Sequence, residues 1–263
     1  MIALALLTAS AACHATWNLL MKTVSAKGAA FVWLCSLITL PISVVLLVRA
    51  PSIQWWPALV SMALHTLYAV ILQKAYAASD FATVYPVSRG SAPVLTALFA
   101  LTSNWHVYAG AALVLCGVLL MDQLRTAGSL GLGIALGLVV AGFTAAYTLW
   151  DAYAITTLHV DLLAFLAVSN LAQVAILTVL VRGHRAVLGE WRRAIPIAIL
   201  TPASYALILL ALSFASVSTV AVGRTLNVVF GALLGFVVLH ERVTRTRLAG
   251  LAAVVAGVVL VSI

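Results

Sequence analysis

The chain has 263 residues, 65% hydrophobic and 8% charged, with 14 Lys and Arg against 6 Asp and Glu for a formal net charge of +8. A soluble domain is roughly 45–50% apolar and about 25% charged, so these few ionisable side chains cannot cover a water-facing surface; a soluble enzyme, a secreted disulfide scaffold and a nucleic-acid binder are excluded as readings of the whole chain. The basic residues are scattered between apolar runs rather than gathered on one face. Cys13, Cys35 and Cys116 are odd in number and dispersed within such runs, which speaks against a disulfide framework or a metal site.

A membrane-spanning helix needs about 20 predominantly apolar residues. Apolar runs lie at 2–22, 30–48, 55–77, 82–102, 106–121, 131–153, 162–181, 195–214, 219–239 and 247–262, ten in all. The expected fold is an all-α polytopic membrane protein of ten transmembrane helices. Residues 1–13 carry signal-peptide-like features, Ala-Ser-Ala at 9–11 and Cys13. No basic segment precedes them, Ser10 stands where a lipoprotein signal has an aliphatic residue, and the apolar pattern continues through Trp17, so a first membrane helix is expected. The narrowest boundaries are 102–106 and 214–219. No loop has room for a soluble domain, so any chemistry takes place in or beside the bilayer.

Polar groups at membrane depth are costly and mark pathways or pairs. In the first run His14, Asn18 and Lys22 recur at i, i+4 and i+8 and share a helix face, with Trp17 beside them. His14, Trp17 and Asn18 are expected to line a cavity, and Lys22 to reach the interface. The third run offers His65, Tyr68 and Gln73, and the seventh Asn170 and Gln173, which read as interhelical hydrogen-bonding groups. The fourth run is interrupted by Pro86, Gly90 and Pro93, and Arg89 sits in this broken stretch beside Tyr85, Ser88 and Ser91. In the sixth, Thr144, Tyr147 or Thr148, and Asp151 follow one face. Asp151 is read as a proton-coupling group, an arginine partner or a helix-end residue. Gly128, Gly131, Gly133 and Gly137 lack the preceding strand and following acid of a dinucleotide site, so Gly133 and Gly137 are read as close helix packing and no cofactor is expected. In the ninth run Arg224 and Asn227 occupy a place like that of Arg89. Two arginines converging on one anion suit guanidinium chemistry, although each also suits freed carbonyls or headgroups. Glu241 and Arg242 are expected to link the last two helices.

The chain repeats itself. Val107–Met121 and Arg247–Val261 match at seven of fifteen positions, including Gly110 with Gly250 and Gly117 with Gly257. Upstream, Val87-Ser-Arg89 aligns with Val222-Gly-Arg224, and Ala15, Trp17 and Leu19 pair weakly with Ala145, Tyr147 and Leu149. Residues 1–122 and 131–263 thus read as two five-helix halves. An odd number of spans inverts the second half, an architecture common in secondary transporters that bind substrate near the midplane.

His14-Ala-Thr-Trp-Asn-Leu-Leu-Met-Lys22, Tyr85-Pro-Val-Ser-Arg-Gly-Ser-Ala-Pro93 and Glu241-Arg242-Val-Thr244 before a glycine-spaced last helix resemble the EamA-like branch of the drug/metabolite transporter superfamily. The resemblance covers essentially the whole chain and implies a ten-helix carrier of small metabolites, often outward. One departure is that the first half has Ser103-Asn-Trp-His106 where the second has its Glu-Arg loop.

Odd-numbered loops hold eleven Lys and Arg, and even-numbered loops hold Arg49 alone. The positive-inside rule then puts both termini outside, whereas ten-span relatives are drawn with both inside. The leading function is a secondary carrier, an exporter of a small polar or anionic metabolite working by alternating access. Its walls would come from Trp17, Tyr68, Tyr85, Tyr147 and Tyr205, and its polar contacts from His14, Asn18, Arg89, Arg224 and Asn227. The expected partners are a small-molecule substrate, the lipid bilayer and protons as coupling ion, with no nucleic acid, in a monomer or homodimer of a bacterial inner membrane. The alternatives are a multidrug exporter, disfavoured because two arginines repel cations, and a non-transporting accessory protein. An intramembrane enzyme lacks both His-Glu-x-x-His and Gly-x-Ser-x-Gly.

Overall fold

The computed structural model describes residues 1–21, 24, 28–79, 81–122, 130–181, 184–238 and 244–262. The apolar runs are helices: α1 (Ile2–Met21), α2 (Ala29–Arg49), α3 (Trp55–Ala78), α4 (Phe81–Phe99), α5 (Trp105–Asp122), α6 (Leu130–Thr156), α7 (Leu162–Leu180), a short α8 (His184–Val187) leading through a 3₁₀ turn into α9 (Trp191–Ala211), α10 (Val217–Gly223), α11 (Leu226–Val237) and α12 (Arg245–Ser262). Eight stretches, with α10 and α11 taken together, are long and apolar enough to cross a bilayer, and α5 is a shorter apolar helix. α4 is long enough at 19 residues, but Tyr85, Ser88, Arg89 and Ser91 make it too polar to qualify. The chain is an all-α polytopic membrane protein. Lys22, Lys27, Asp80, Arg125, Gly128, Glu241 and Arg242 lie outside the described residues.

The narrow boundaries are real turns. α4 ends at Phe99 before α5 begins at Trp105, and α9 ends at Ala211 before α10 begins at Val217. Ser216 caps α10 by accepting from the Thr219 backbone N–H at 3.2 Å, and Asp161 caps α7 by accepting from Ala164 at 2.9 Å.

One expectation is corrected. The interruption predicted in the fourth run is absent, and α4 runs unbroken through Pro86 and Pro93. A proline removes one backbone donor, while α4 stays pressed against α5 and α6 along its length. The interruption falls instead in the ninth span, at Gly223-Arg224-Thr225, where no proline occurs. There the chain tightens to i→i+3 bonding: Thr225 donates to Val222, Asn227 to Arg224 and Val228 to Thr225, at 2.9–3.2 Å. The Thr225 hydroxyl also bonds the Val222 carbonyl. Hydroxyl-to-carbonyl competition of this kind bends helices without a proline.

Two contacts between distant helices organise the rest. α5 and α12 cross antiparallel at backbone distance. A Cβ on Gly117 would stand 2.6 Å from the Gly250 carbonyl oxygen, and one on Gly110 would stand 2.6 Å from that of Gly257. Around this crossing lies a core that includes Val107, Val114, Val118, Val254 and Val258. α2 and α7 meet through side-chain hydrogen bonds. Asn170 donates to the Ser36 carbonyl (3.1 Å) and to the Ser43 hydroxyl (2.8 Å), Ser36 donates to Gln173 (2.7 Å), and Trp33 donates to Thr178 (2.8 Å). Gly133 and Gly137 of α6 sit against Thr83 and Val87 of α4, where an added Cβ would meet side-chain carbon at 2.8 Å. These two glycines therefore bring α6 close to the helix that carries Arg89.

Candidate functional site

The site is built on one face of α6. Thr144, Tyr147, Thr148 and Asp151 follow at i, i+3, i+4 and i+7, the spacing of a single helical stripe. The Thr144 and Thr148 hydroxyls donate back to the Val140 and Thr144 carbonyls at 3.0 and 2.7 Å. That leaves the Thr148 oxygen free to accept from outside the helix.

Arg224 fills this role. It projects from the α10–α11 break and donates to Thr148 Oγ1 at 3.1 Å and to the Tyr147 hydroxyl at 3.2 Å. Its guanidinium carbon lies 5.6 Å from the Tyr147 ring centre. A guanidinium has five N–H donors, and these two contacts do not exhaust them. Arg89 enters from α4 with its guanidinium 5.7 Å from the Tyr85 ring centre. Among the described residues neither arginine forms an ion pair. Both line one partly open crevice, together with Ala92, Pro93 and Thr96 of α4, Thr144 and Thr148 of α6, and Ala221, Thr225, Asn227 and Val228 around the break. Guanidinium groups without an ion pair are tolerated here because they face a crevice between helices rather than lipid.

Behind Arg224 is a layer of rings. His65 stacks on Tyr147 with ring centres 4.1 Å apart, Tyr68 meets Tyr147 edge-on at 5.4 Å, and Tyr205 meets His65 edge-on at 5.4 Å. Edge-on and offset contacts are the favoured aromatic geometries. Below this layer, Asp151 is 1% exposed. Its carboxylate contacts His65 Nε2 at 3.0 Å and accepts a hydrogen bond from the Tyr205 hydroxyl.

The expected site residues are distributed unevenly. Arg89, Arg224 and Asn227 line the crevice directly. Tyr68, Tyr85, Tyr147 and Tyr205 stand behind or beside the arginines. His14 lies within electrostatic reach of both arginines and packs edge-on to Trp17 at 4.8 Å. Trp17 leans on the cluster of Val24, Phe31 and Leu34, and its buried indole N–H has no partner among the described residues. Asn18 is exposed and donates to the His14 carbonyl of its own helix at 2.8 Å, so it is not brought into the crevice. Asp151 is neither at a helix end nor paired with an arginine, because α6 continues to Thr156 and its partners are His65 and Tyr205. Thr96 and Thr225 line the crevice without any signal in the sequence, since a lone threonine in an apolar run bonds its own helix as often as it faces a cavity. Asn170 and Gln173 make the interhelical bonds expected of them.

One solved structure, titled simply as the crystal structure of a protein, superposes on this chain with a TM-score of 0.78 at 17% identity, covering 98% of this chain and 95% of that one. At that identity the likeness shows the fold alone. No curated protein matches. The profile described as the EamA-like transporter family matches residues 131–263, just over half the chain and the part that holds Tyr147, Asp151, Tyr205 and Arg224. The polytopic helical fold and this match together establish that the chain belongs to the EamA-like transporter family.

Proposed function

We propose that the protein is a secondary carrier for a small anionic or polar metabolite, working by alternating access between two inverted five-helix halves, 1–122 and 131–263, in a bacterial inner membrane. The observation that carries this reading is the pair Arg89 and Arg224, which face one crevice from two helices with no acid paired to either among the described residues. Guanidinium groups held this way suit a carboxylate or phosphate group, which they can fork onto. Asp151 is the candidate coupling group, and export is the assumed direction. The same cationic crevice repels cations, which disfavours a multidrug exporter.

Helix packing supports the two-half reading. α4 packs on α6 as α11 packs on α1, and α3 packs on α6 as α9 packs on α1. The aligned pairs Gly110/Gly250 and Gly117/Gly257 exchange partners in space, Gly110 meeting Gly257 and Gly117 meeting Gly250. A two-fold axis between α5 and α12 produces that exchange.

Transport in liposomes tests the reading. Purified protein is reconstituted and offered a panel of anionic, zwitterionic and cationic small molecules. Uptake of an anionic or zwitterionic compound is expected. Arg89→Gln and Arg224→Gln are each expected to cut that uptake about tenfold or more, since a hydrogen bond to a charged group is worth about 1.5–3 kcal/mol. Movement of cationic dyes with none of the anions would replace this reading with the multidrug one.

A further inference from the structure

Asp151 is the one acid, among the described residues, that is buried as completely as the core valines. Three helices meet on its carboxylate. His65 Nε2 from α3 and the Tyr205 hydroxyl from α9 both contact Oδ2, and the two lie 3.2 Å from each other, closing a triangle. The second oxygen, Oδ1, is buried and has no partner among the described residues. A bare carboxylate at bilayer depth is costly. An orphaned carboxylate oxygen inside this triangle is therefore a place to hold a proton. The carboxylate lies 3.0 Å from the His65 imidazole, a side chain that can give up or accept a proton.

The charges around the triangle come from every helix packed on α6. α3 supplies Tyr68 besides His65, α4 supplies Arg89 with Tyr85, and α9 supplies Tyr205. Arg224 enters from the α10–α11 break. Its connection to Asp151 is short: it holds the Tyr147 hydroxyl, Tyr147 stacks on His65, and Thr148 lies one helical turn before Asp151. Arg224, which forms no ion pair among the described residues and is joined to the buried acid through Tyr147 and His65, leaves two ways to balance its charge, an anion in the crevice or an ionised Asp151.

We infer that His65, Asp151 and Tyr205 form a proton-binding site linked to the charge at Arg224, filled when an anion occupies the crevice and emptied when the anion leaves. The proton comes from water and turns the carboxylate into a carboxyl, and no other bond changes. Linkage is reciprocal, so the anion is held more tightly when the proton is bound, and the two travel together. The use of the site in transport rests on the anion-carrier reading, whereas the site itself does not.

Infrared difference spectroscopy on the purified full chain in lipid, between mildly alkaline and mildly acidic pH, reads the site directly. A protonated-carboxyl band is expected in the wild type and is lost in Asp151→Asn, which keeps the side-chain shape. Arg224→Gln removes the cation held on Tyr147, which stacks on His65, so the pH at which the band appears is expected to change. If Asp151→Asn does not fold, His65→Gln serves in its place, since it keeps the acid and must displace the pH at which the band appears. Absence of any such band in the wild type, or a band unmoved by His65→Gln, overturns the proton site. A band at the same pH in wild type and Arg224→Gln overturns its link to the crevice. An intact, Arg224-sensitive band in a protein that moves no anion upholds the site and defeats the carrier reading instead.

Discussion

α5–α12 and α2–α7 both join the first 122 residues to the rest, and they do so by opposite means. Lipid tails are as apolar as the helices, so helix association in a membrane relies on close packing or on interhelical hydrogen bonds. The α5–α12 crossing uses the first. Glycines let the two backbones approach until an added Cβ would meet a carbonyl oxygen at 2.5–2.6 Å. The α2–α7 contact uses the second, spreading Trp33, Ser36, Thr39 and Ser43 against Asn170, Gln173 and Thr178. A backbone contact is all or nothing, since neither chain can give way. A hydrogen-bonded contact is a sum of small, separately replaceable terms. The first contact is thus suited to hold its two helices at one fixed distance, and the second to tolerate a change in its pairing.

Substitutions can break this contrast, and the largest effect is expected at the glycine crossing. Gly250→Val should drive α12 from α5, because its Cβ would stand 2.5 Å from the Gly117 oxygen and 3.0 Å from the Met121 nitrogen. Overpacking costs about 1–3 kcal/mol and more where only backbone can move. Thermal unfolding in detergent should show it as the least stable variant of the set, and a stability equal to wild type would mean the helices are not held at this distance. Asn170→Leu comes next. It removes the donor to the Ser36 carbonyl and the Ser43 hydroxyl, and interhelical bonds in membranes average about 0.6 kcal/mol and reach about 1.7. A loss near 1 kcal/mol is expected on the same denaturation curve. Ser36→Ala removes the bond to Gln173 alone and should lose only about half a kcal/mol. Gly231→Ala is the control, since a Cβ there meets nothing within 4 Å. It should leave stability within about 0.5 kcal/mol of wild type, and a large loss would show that glycine content rather than close approach governs the α5–α12 result.

Much of the fold was legible along the chain, and particular elements show why. Each of the ten apolar runs corresponds to a helical stretch, even at the narrow gap before Trp105, because hydrophobicity and length are local properties. The polar stripe of α6 was legible for the same reason: Thr144, Tyr147, Thr148 and Asp151 share a face by spacing alone. The helix break was misplaced. Proline signals a missing donor, but whether a helix breaks depends on what it is packed against, and α4 is packed on both α5 and α6. Asn18 followed the helical period of His14 and still turned back onto its own helix. Periodicity assigns a face and does not say what that face meets.

By itself, the sequence determined the membrane class, the number and order of the apolar runs, and the rarity of charge that singles out Arg89, Arg224 and Asp151. Tertiary structure alone decided the partnerships: Asp151 with His65 across 86 residues, Arg224 with Tyr147 across 77, and both arginines on one crevice. The reason is physical. Burial in lipid depends on each residue's own composition and period, whereas a polar side chain's partner depends on which helices pack side by side. In this protein that was decided by glycines, threonines and asparagines, whose spacing marks a face of a helix without naming the helix that meets it.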